Sequence, residues 1–289
     1  MTFGFAFDMG EFIKYLFLGM IQGITEVLPV SSSGHVELAK LLLNLQTDEG
    51  VLFLILLNTG SLLVFLIYFF KDLVRLFKNF SRFIFDSPSR DVTRDDFHFC
   101  LKVVVATIPA GIAGLVLGDL IDEMLVHYGG FFSGIGLLGT ATVLLLNGRR
   151  HFSRRNDHIT YKDALLIGLA QALTPLPGVS RSGITTVTAL NRNIGIDSAI
   201  RFSFLLYIPV SVGSLALYTT RIFSEGTGLP APIYSVYYAG AFLASVLFTA
   251  VAFRFIRPIF RGGRLKYFGM YCFVAGIASI VLFLIKTPL

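Results

Sequence analysis

The sequence predicts an all-α polytopic membrane protein, with six full transmembrane helices and two re-entrant helical hairpins arranged as an inverted-topology repeat. Three observations carry this expectation. Of 289 residues, 54% are hydrophobic and 15% charged, against roughly 25% charged in a soluble domain, and the mean hydropathy is +0.74. Several apolar runs reach the ~20 residues that a bilayer crossing takes. A polar string near the N-terminus also recurs past the middle of the chain.

The six runs are 51–70, 99–118, 131–147, 202–219, 233–253 and 267–285. Their flanks orient them. Of 24 Lys and Arg, seven fall in 71–102, five in 148–162 and five in 254–266, each stretch directly beside a span, which is the positive-inside bias. The net charge of +6 therefore belongs against the cytoplasmic leaflet, and nucleic acid is excluded as a partner. With these basic loops inside, both termini lie outside. The segment between 118 and 131, which carries Asp119, Asp122 and Glu123 but no Lys or Arg, becomes an outer loop. No basic start precedes the first apolar stretch, so no cleavable signal peptide is expected. Cys100 and Cys272 lack metal-ligand spacing and read as small packing residues.

Placing Gly19 on Gly168 sets an offset of 149, the difference of the two numbers. In that register Gln22 meets Gln171, Thr25 meets Thr174, Ser31 meets Ser180, Ser33 meets Ser182 and Gly34 meets Gly183. The match continues without a gap through Phe53/Phe202, Leu56/Leu205 and Leu57/Leu206. Two homologous halves follow, about 8–147 and about 160–289, forming a single membrane domain over 1–289. An odd number of crossings separates the repeat units, so the halves insert with opposite orientation. Each matched string interrupts a helix: 12–28 stops at Pro29 and a serine run, 36–45 is too short to span, and 164–173 stops at Pro175 and Pro177-Gly178. Irregular backbone at membrane depth is tolerated only inside protein or beside a water-filled cavity. In inverted repeats, broken helices of this kind meet around a midplane site. The expectation is a polar cavity between two hairpin tips.

The first tip offers Gln22, Thr25, Glu26, Ser31, Ser32, Ser33 and His35; the second offers Gln171, Thr174, Ser180, Arg181 and Ser182. Ionisable groups at membrane depth are expensive and mark function, which weighs against Glu26 serving only to pair with Arg181. Glu26 and Gln22 are four apart and share a helix face; their carboxylate and amide suit a hard cation such as Mg²⁺ or Ca²⁺ that also binds substrate phosphates. Arg181, between two serines in a Pro-Gly turn that opens into a helix, has the form of an anion clamp, because its planar fork matches phosphate oxygens in pairs. His35 and the serines supply candidates for covalent or acid–base chemistry. Either His35 or Glu26 would take a serine proton, or His35 would itself attack phosphorus or protonate a leaving group. Glu37 and Lys40 form a hairpin pair or a cavity rim, Asn58 makes a helix–helix hydrogen bond, and Arg192 and Arg201 lie at the cytoplasmic interface.

Two strings resemble a known family. Gln22-Gly-Ile-Thr-Glu26, followed by Leu-Pro-Val-Ser-Ser-Ser-Gly-His35, is similar to the [E/Q]xxxE and SSxGH segments of bacterial undecaprenyl-diphosphate phosphatases of the bacitracin-resistance type. Pro177-Gly-Val-Ser-Arg-Ser-Gly-Ile-Thr185 resembles their PGxSRSxxT motif, and the likeness covers nearly the whole chain. The resemblance implies hydrolysis of undecaprenyl diphosphate to undecaprenyl phosphate, the lipid carrier for cell-wall precursors, in the bacterial inner membrane. It implies a divalent cation and a site opening to the outer face. By position, Glu26 corresponds to the essential carboxylate, Gln22 to its Glu/Gln partner, Ser32 to a proposed nucleophile, His35 to the essential histidine and Arg181 to the phosphate-binding arginine. Thr25, Ser31, Ser33, Ser180 and Ser182 complete the expected substrate contacts. The implied partners are the lipid substrate and the bilayer, with a homodimer left open. The competing class is a polyprenyl-phosphate transporter, since inverted repeats and a midplane polar site describe carriers equally well; the serine–histidine cluster favours chemistry.

Overall fold

Each hairpin tip is set by a serine cap and a helix stop. The computed structural model describes residues 7–45, 50–148, 157–225, 232–255 and 264–287. Helix α1 (Met9–Val27) opens on Asp8, whose side chain accepts from Gly10 N and Glu11 N, and it ends just ahead of Pro29, as the restriction before proline requires. Helix α2 (Ser32–Leu43) starts from Ser31, whose hydroxyl accepts from Gly34 N at 3.3 Å, and closes at Asn44 in the left-handed conformation. The second hairpin repeats the device. A capping box between Thr160 and Asp163 starts α6 (Tyr161–Gln171). Ser180 then starts α7 (Arg181–Asn191), accepting from Gly183 N at 3.2 Å. Such caps satisfy donors that a helix start leaves unpaired.

The remaining helices are α3 (Gly50–Tyr68), α4 (Phe70–Phe85), α5 (Arg90–Asn147), α8 (Ile196–Glu225), α9 (Pro232–Phe253) and α10 (Leu265–Lys286), with a 3₁₀ turn at Ser87–Ser89. Every described residue in regular structure, the bridge residue Ile194 aside, is helical. Among the described residues, four helical stretches are long and apolar enough to cross a membrane, and α3 with α4 makes a fifth candidate, bent by 69°. Apolar side chains such as Val104, Ile108, Ile112, Leu243 and Val274 point outward and exposed, as lipid-facing positions do. The protein is a multi-pass, all-helical membrane protein.

Two expected loops are corrected. The segment between 118 and 131 is not an extended loop. Residues 119–127 continue α5, and the only non-helical residue is Tyr128 (φ −134°, ψ 27°), where two helices meet. No Gly or Pro occurs between 119 and 127, so nothing stops the helix until Gly129-Gly130. The basic stretch 71–102 is likewise helical, consisting of α4, the 3₁₀ turn and the start of α5. The other two basic stretches lie largely outside the described residues.

Small residues let the helices approach closely, the usual basis of helix association in lipid. Gly19 lies against the backbone of Ala241 in α9, and its counterpart Gly168 lies against the backbone of Ala106 in α5. Ser61 bonds both Ser245 (3.1 Å) and Thr249 (2.9 Å) across α3 and α9. Several residues 149 apart touch one another directly: Tyr207 donates to Asn58, and Ser279 Oγ donates to the Gly130 carbonyl at 2.7 Å. The tips also meet crosswise, with Gly34 against Gly178 and Gly183 against the Pro29 carbonyl.

Candidate active site

The two tips face each other. Ser33 Oγ accepts from Gly178 N at 3.3 Å, and Ser182 Oγ donates to the Leu28 carbonyl at 2.9 Å, so each tip reaches across to the other. Gly178 holds φ +82°, and a Cβ there would collide with the Ser133 carbonyl; only glycine suits a turn so placed. Thr140 in α5 ties the second tip down, accepting from Ser180 N at 2.8 Å and donating to the Gly178 carbonyl at 3.1 Å.

Between the tips lies a cavity of about 220 Å³. Thr25, Glu26, Ser31, Ser32, Ser33, Thr174, Ser180, Arg181 and Ser182 all line it, so nine of the expected residues converge. At its centre Arg181 forms an ion pair with Glu26 Oε1. Glu26 Oε2 accepts from Gln22 Nε2 at 2.7 Å and from Ser32 Oγ at 2.6 Å. The Glu26 side chain is 4% exposed and that of Arg181 17%. Burial at this level makes the pair costly to break from one side, by ~3–5 kcal/mol. Thr25 lines the cavity, but its hydroxyl donates to the Ile21 carbonyl of its own helix at 2.6 Å.

Gln22 and His35 are not among the residues that line the cavity. Gln22 acts from behind, through Glu26. His35 is buried; its Nδ1–H donates to the Ser31 carbonyl at 2.7 Å, its ring stacks on Tyr271 at 5.3 Å, and its Nε2 has no partner among the described residues. Since a carbonyl only accepts, the proton sits on Nδ1. His35 therefore braces the Ser31 turn and makes no bond to Ser32.

Three further residues, Tyr207, Asn58 and Ser211, position the site and were not expected in that role. The guanidinium of Arg181 lies 3.7 Å over the ring of Tyr207 in α8, a cation–π contact that flattens and aims the fork. Tyr207 is in turn fixed by its hydroxyl, which donates to Asn58 Oδ1 at 2.8 Å. Asn58 Nδ2 reaches Ser211 at 3.3 Å. The repeat register carries the missed signal: Asn58 and Tyr207 are 149 apart, directly after the matched pair Leu57/Leu206. Asn58 does make the expected interhelical bond, and it also lines the cavity. Glu37 and Lys40 pair at 2.8 Å, both buried and away from the cavity. Arg192 pairs with Asp163 and Arg201 with Asp72.

For a hard cation the chain presents one cavity carboxylate, an amide behind it and several hydroxyls. Among the described residues no three His, Cys, Asp or Glu side chains cluster to form a site of their own. This donor set fits a cation held largely by phosphate oxygens and water.

The family model described as "Bacitracin resistance protein BacA" matches residues 15–278. The chain belongs to this family. Among its relatives are "Undecaprenyl-diphosphatase 3" of Bacillus anthracis, 42% identical over 270 residues that cover 93% of this chain and 97% of that protein. "Undecaprenyl-diphosphatase 1" of Bacillus licheniformis is 40% identical, covering 95% and 99%. "Undecaprenyl-diphosphatase" of Acholeplasma laidlawii is 36% identical, covering 95% and 98%.

Proposed function

We propose that this protein hydrolyses undecaprenyl diphosphate to undecaprenyl phosphate and inorganic phosphate, regenerating the lipid carrier for cell-wall synthesis and conferring bacitracin resistance. The observation that carries the chemistry is the 2.6 Å bond from Ser32 Oγ to Glu26 Oε2. A serine hydroxyl is a weak nucleophile until a positioned base takes its proton, and the geometry favours Glu26 over His35 as that base. The Ser32 oxygen attacks the terminal phosphorus, its proton passes to Glu26, and the bond to the bridging oxygen breaks, releasing undecaprenyl phosphate. Water then hydrolyses the seryl phosphate, restoring Ser32 and freeing phosphate. Arg181 exchanges its carboxylate partner for phosphate oxygens and stabilises the charge on the transferred group, where positioning and electrostatics do most of the work. Ser31, Ser33, Ser180 and Ser182 add hydroxyl contacts around it. Mg²⁺ or Ca²⁺, when bound, would neutralise the diphosphate, held by Glu26, whose carboxylate Gln22 orients from behind.

The fold is read as six crossings with two re-entrant hairpins in an inverted repeat, placed in the bacterial inner membrane with the cavity opening to the outer face. The contacts between residues 149 apart, Asn58 with Tyr207 and Gly130 with Ser279, support this, because a pseudo-two-fold axis brings such counterparts together. All the residues invoked come from one chain, so a homodimer would hold two complete sites.

The test is phosphate release from undecaprenyl diphosphate in detergent, with and without Mg²⁺ or Ca²⁺, for wild type, Glu26→Gln and Ser32→Ala. Cation-dependent release by the wild type is expected, with turnover down about 10²–10⁴-fold in Glu26→Gln and lost in Ser32→Ala. Specific binding of the lipid by the wild type without any release would replace the enzyme with a transporter.

A further inference from the structure

Helix α4 carries three faces where an ordinary linker helix needs two. At ~100° per residue, Leu73, Leu76, Phe80 and Phe83 share one face, directed at the protein: Leu76 is buried, and Phe80 and Phe83 stack on Phe97 of α5 at 5.1 and 4.0 Å. Phe70, Val74, Phe77 and Ile84 form a second face that nothing among the described residues covers; Phe77 is 76% exposed. Between them runs a basic strip, Lys71, Arg75, Lys78 and Arg82, at spacings of four, three and four. All four are exposed. Arg75 pairs with Asp72 and Asp96, while Lys71, Lys78 and Arg82 form no ion pair among the described residues.

The axis decides where these faces point. Helix α3 is an apolar helix of 19 residues, within the length that crosses a bilayer, and α4 departs from it by 69°; with α3 as the crossing, α4 lies close to the plane of the membrane surface. An in-plane helix sinks its apolar face several ångströms into the boundary between headgroups and acyl chains. The basic strip then lies beside that face, at headgroup depth. Lysines and arginines so placed are attracted by an anionic leaflet. We propose that α4 is an in-plane membrane helix whose basic strip binds the headgroups of anionic phospholipids, of the phosphatidylglycerol class, in the leaflet that its aromatic face enters. This surface is separate from the catalytic cavity and does not depend on the reaction assigned to it.

The chain contains no tryptophan, which makes a single introduced one a clean reporter. Full-length Phe77→Trp is reconstituted in phosphatidylcholine bilayers containing an equal mole fraction of either phosphatidylglycerol or phosphatidylcholine brominated high on the acyl chains. Quenching by the brominated phosphatidylglycerol is expected to exceed that by the brominated phosphatidylcholine by about two-fold or more. The difference should vanish when Lys71→Gln, Lys78→Gln and Arg82→Gln are added. Val74→Trp, one turn back on the same face, repeats the reading should Phe77→Trp fold poorly. Absence of quenching by either lipid would show that the face does not enter the bilayer. Equal quenching by both, or a preference surviving the triple substitution, would remove the basic strip as the binding site. Any of these overturns the proposal.

Discussion

The two hairpin tips share a scaffold and differ in their charges. Ser31 and Ser180 cap the following helix through the same bond, to Gly34 N and Gly183 N. Ser33 and Ser182 both reach across to the opposite tip. Yet at the offset of 149, Glu26 stands where the second tip has Pro175, Ser32 where it has Arg181, and His35 where it has Ile184. Retained positions make turns and caps; divergent positions carry the chemistry. One tip supplies the acceptor and the hydroxyl, the other supplies the cation, and neither is a phosphate site until they meet.

The largest expected effect breaks the cationic side of this comparison. Arg181→Lys keeps the charge but loses the fork that matches phosphate oxygens in pairs, and turnover should fall about 10²–10³-fold, the usual loss for one oxyanion-stabilising donor. Tyr207 separates aiming from charge. Tyr207→Phe keeps the ring under the guanidinium and should stay within a few-fold of wild type. Tyr207→Leu removes the cation–π contact, worth up to ~2 kcal/mol when desolvated, and should raise KM more than it lowers kcat. Steady-state kinetics on the three variants checks the ranking; equal losses in Tyr207→Phe and Tyr207→Leu would mean that the hydroxyl bond to Asn58, not the ring, positions Arg181.

The glutamines sharpen the acidic side. Gln22 Nε2 donates to Glu26, whereas both amide atoms of Gln171 are buried without a partner among the described residues, because Pro175 occupies the position of the missing carboxylate. A bond to a charged group contributes ~1.5–3 kcal/mol, and an unpaired buried polar group costs ~1–3 kcal/mol. Gln22→Met should therefore lower turnover about tenfold, since 1.4 kcal/mol is a factor of ten. Gln171→Met should leave turnover intact and keep or raise the melting temperature in detergent. Loss of activity in Gln171→Met would give that side chain a role the comparison denies it.

Much of this site is legible in the chain because its residues are polar, clustered and duplicated. Pro29, Pro175 and Pro177 announce the breaks, and the repeated Ser-x-x-Gly announces the caps. What is not legible has physical reasons. Tyr207 and Asn58 sit inside apolar spans where composition reads as lipid-facing or packing, and only their pairing across the repeat marks them. The direction of His35 depends on where Tyr271, 236 residues later in the chain, presents its ring. Helix α4 hides among charges, because an in-plane amphipathic helix has neither the apolar length of a span nor the Gly and Pro content of a loop.

The smallest effect tests the backbone. Ser31 holds φ 69°, a region that side chains other than glycine occupy at a cost of about 1–3 kcal/mol, whereas Ser180 holds φ −79°, where no such cost applies. Both serines cap a helix, so replacement by Ala should cost ~1 kcal/mol at either site and replacement by Gly a few tenths. At 31 glycine gains a second advantage, since it adopts positive φ freely. The gap in melting temperature between Ala and Gly should therefore be wider at 31 than at 180, by about 2–4 °C for each kcal/mol, as circular dichroism in detergent can measure. Equal gaps would mean that the His35 bond to the Ser31 carbonyl, not the residue at 31, bears the strain of the turn; His35→Ala would then change the gap at 31 and leave the gap at 180 unchanged.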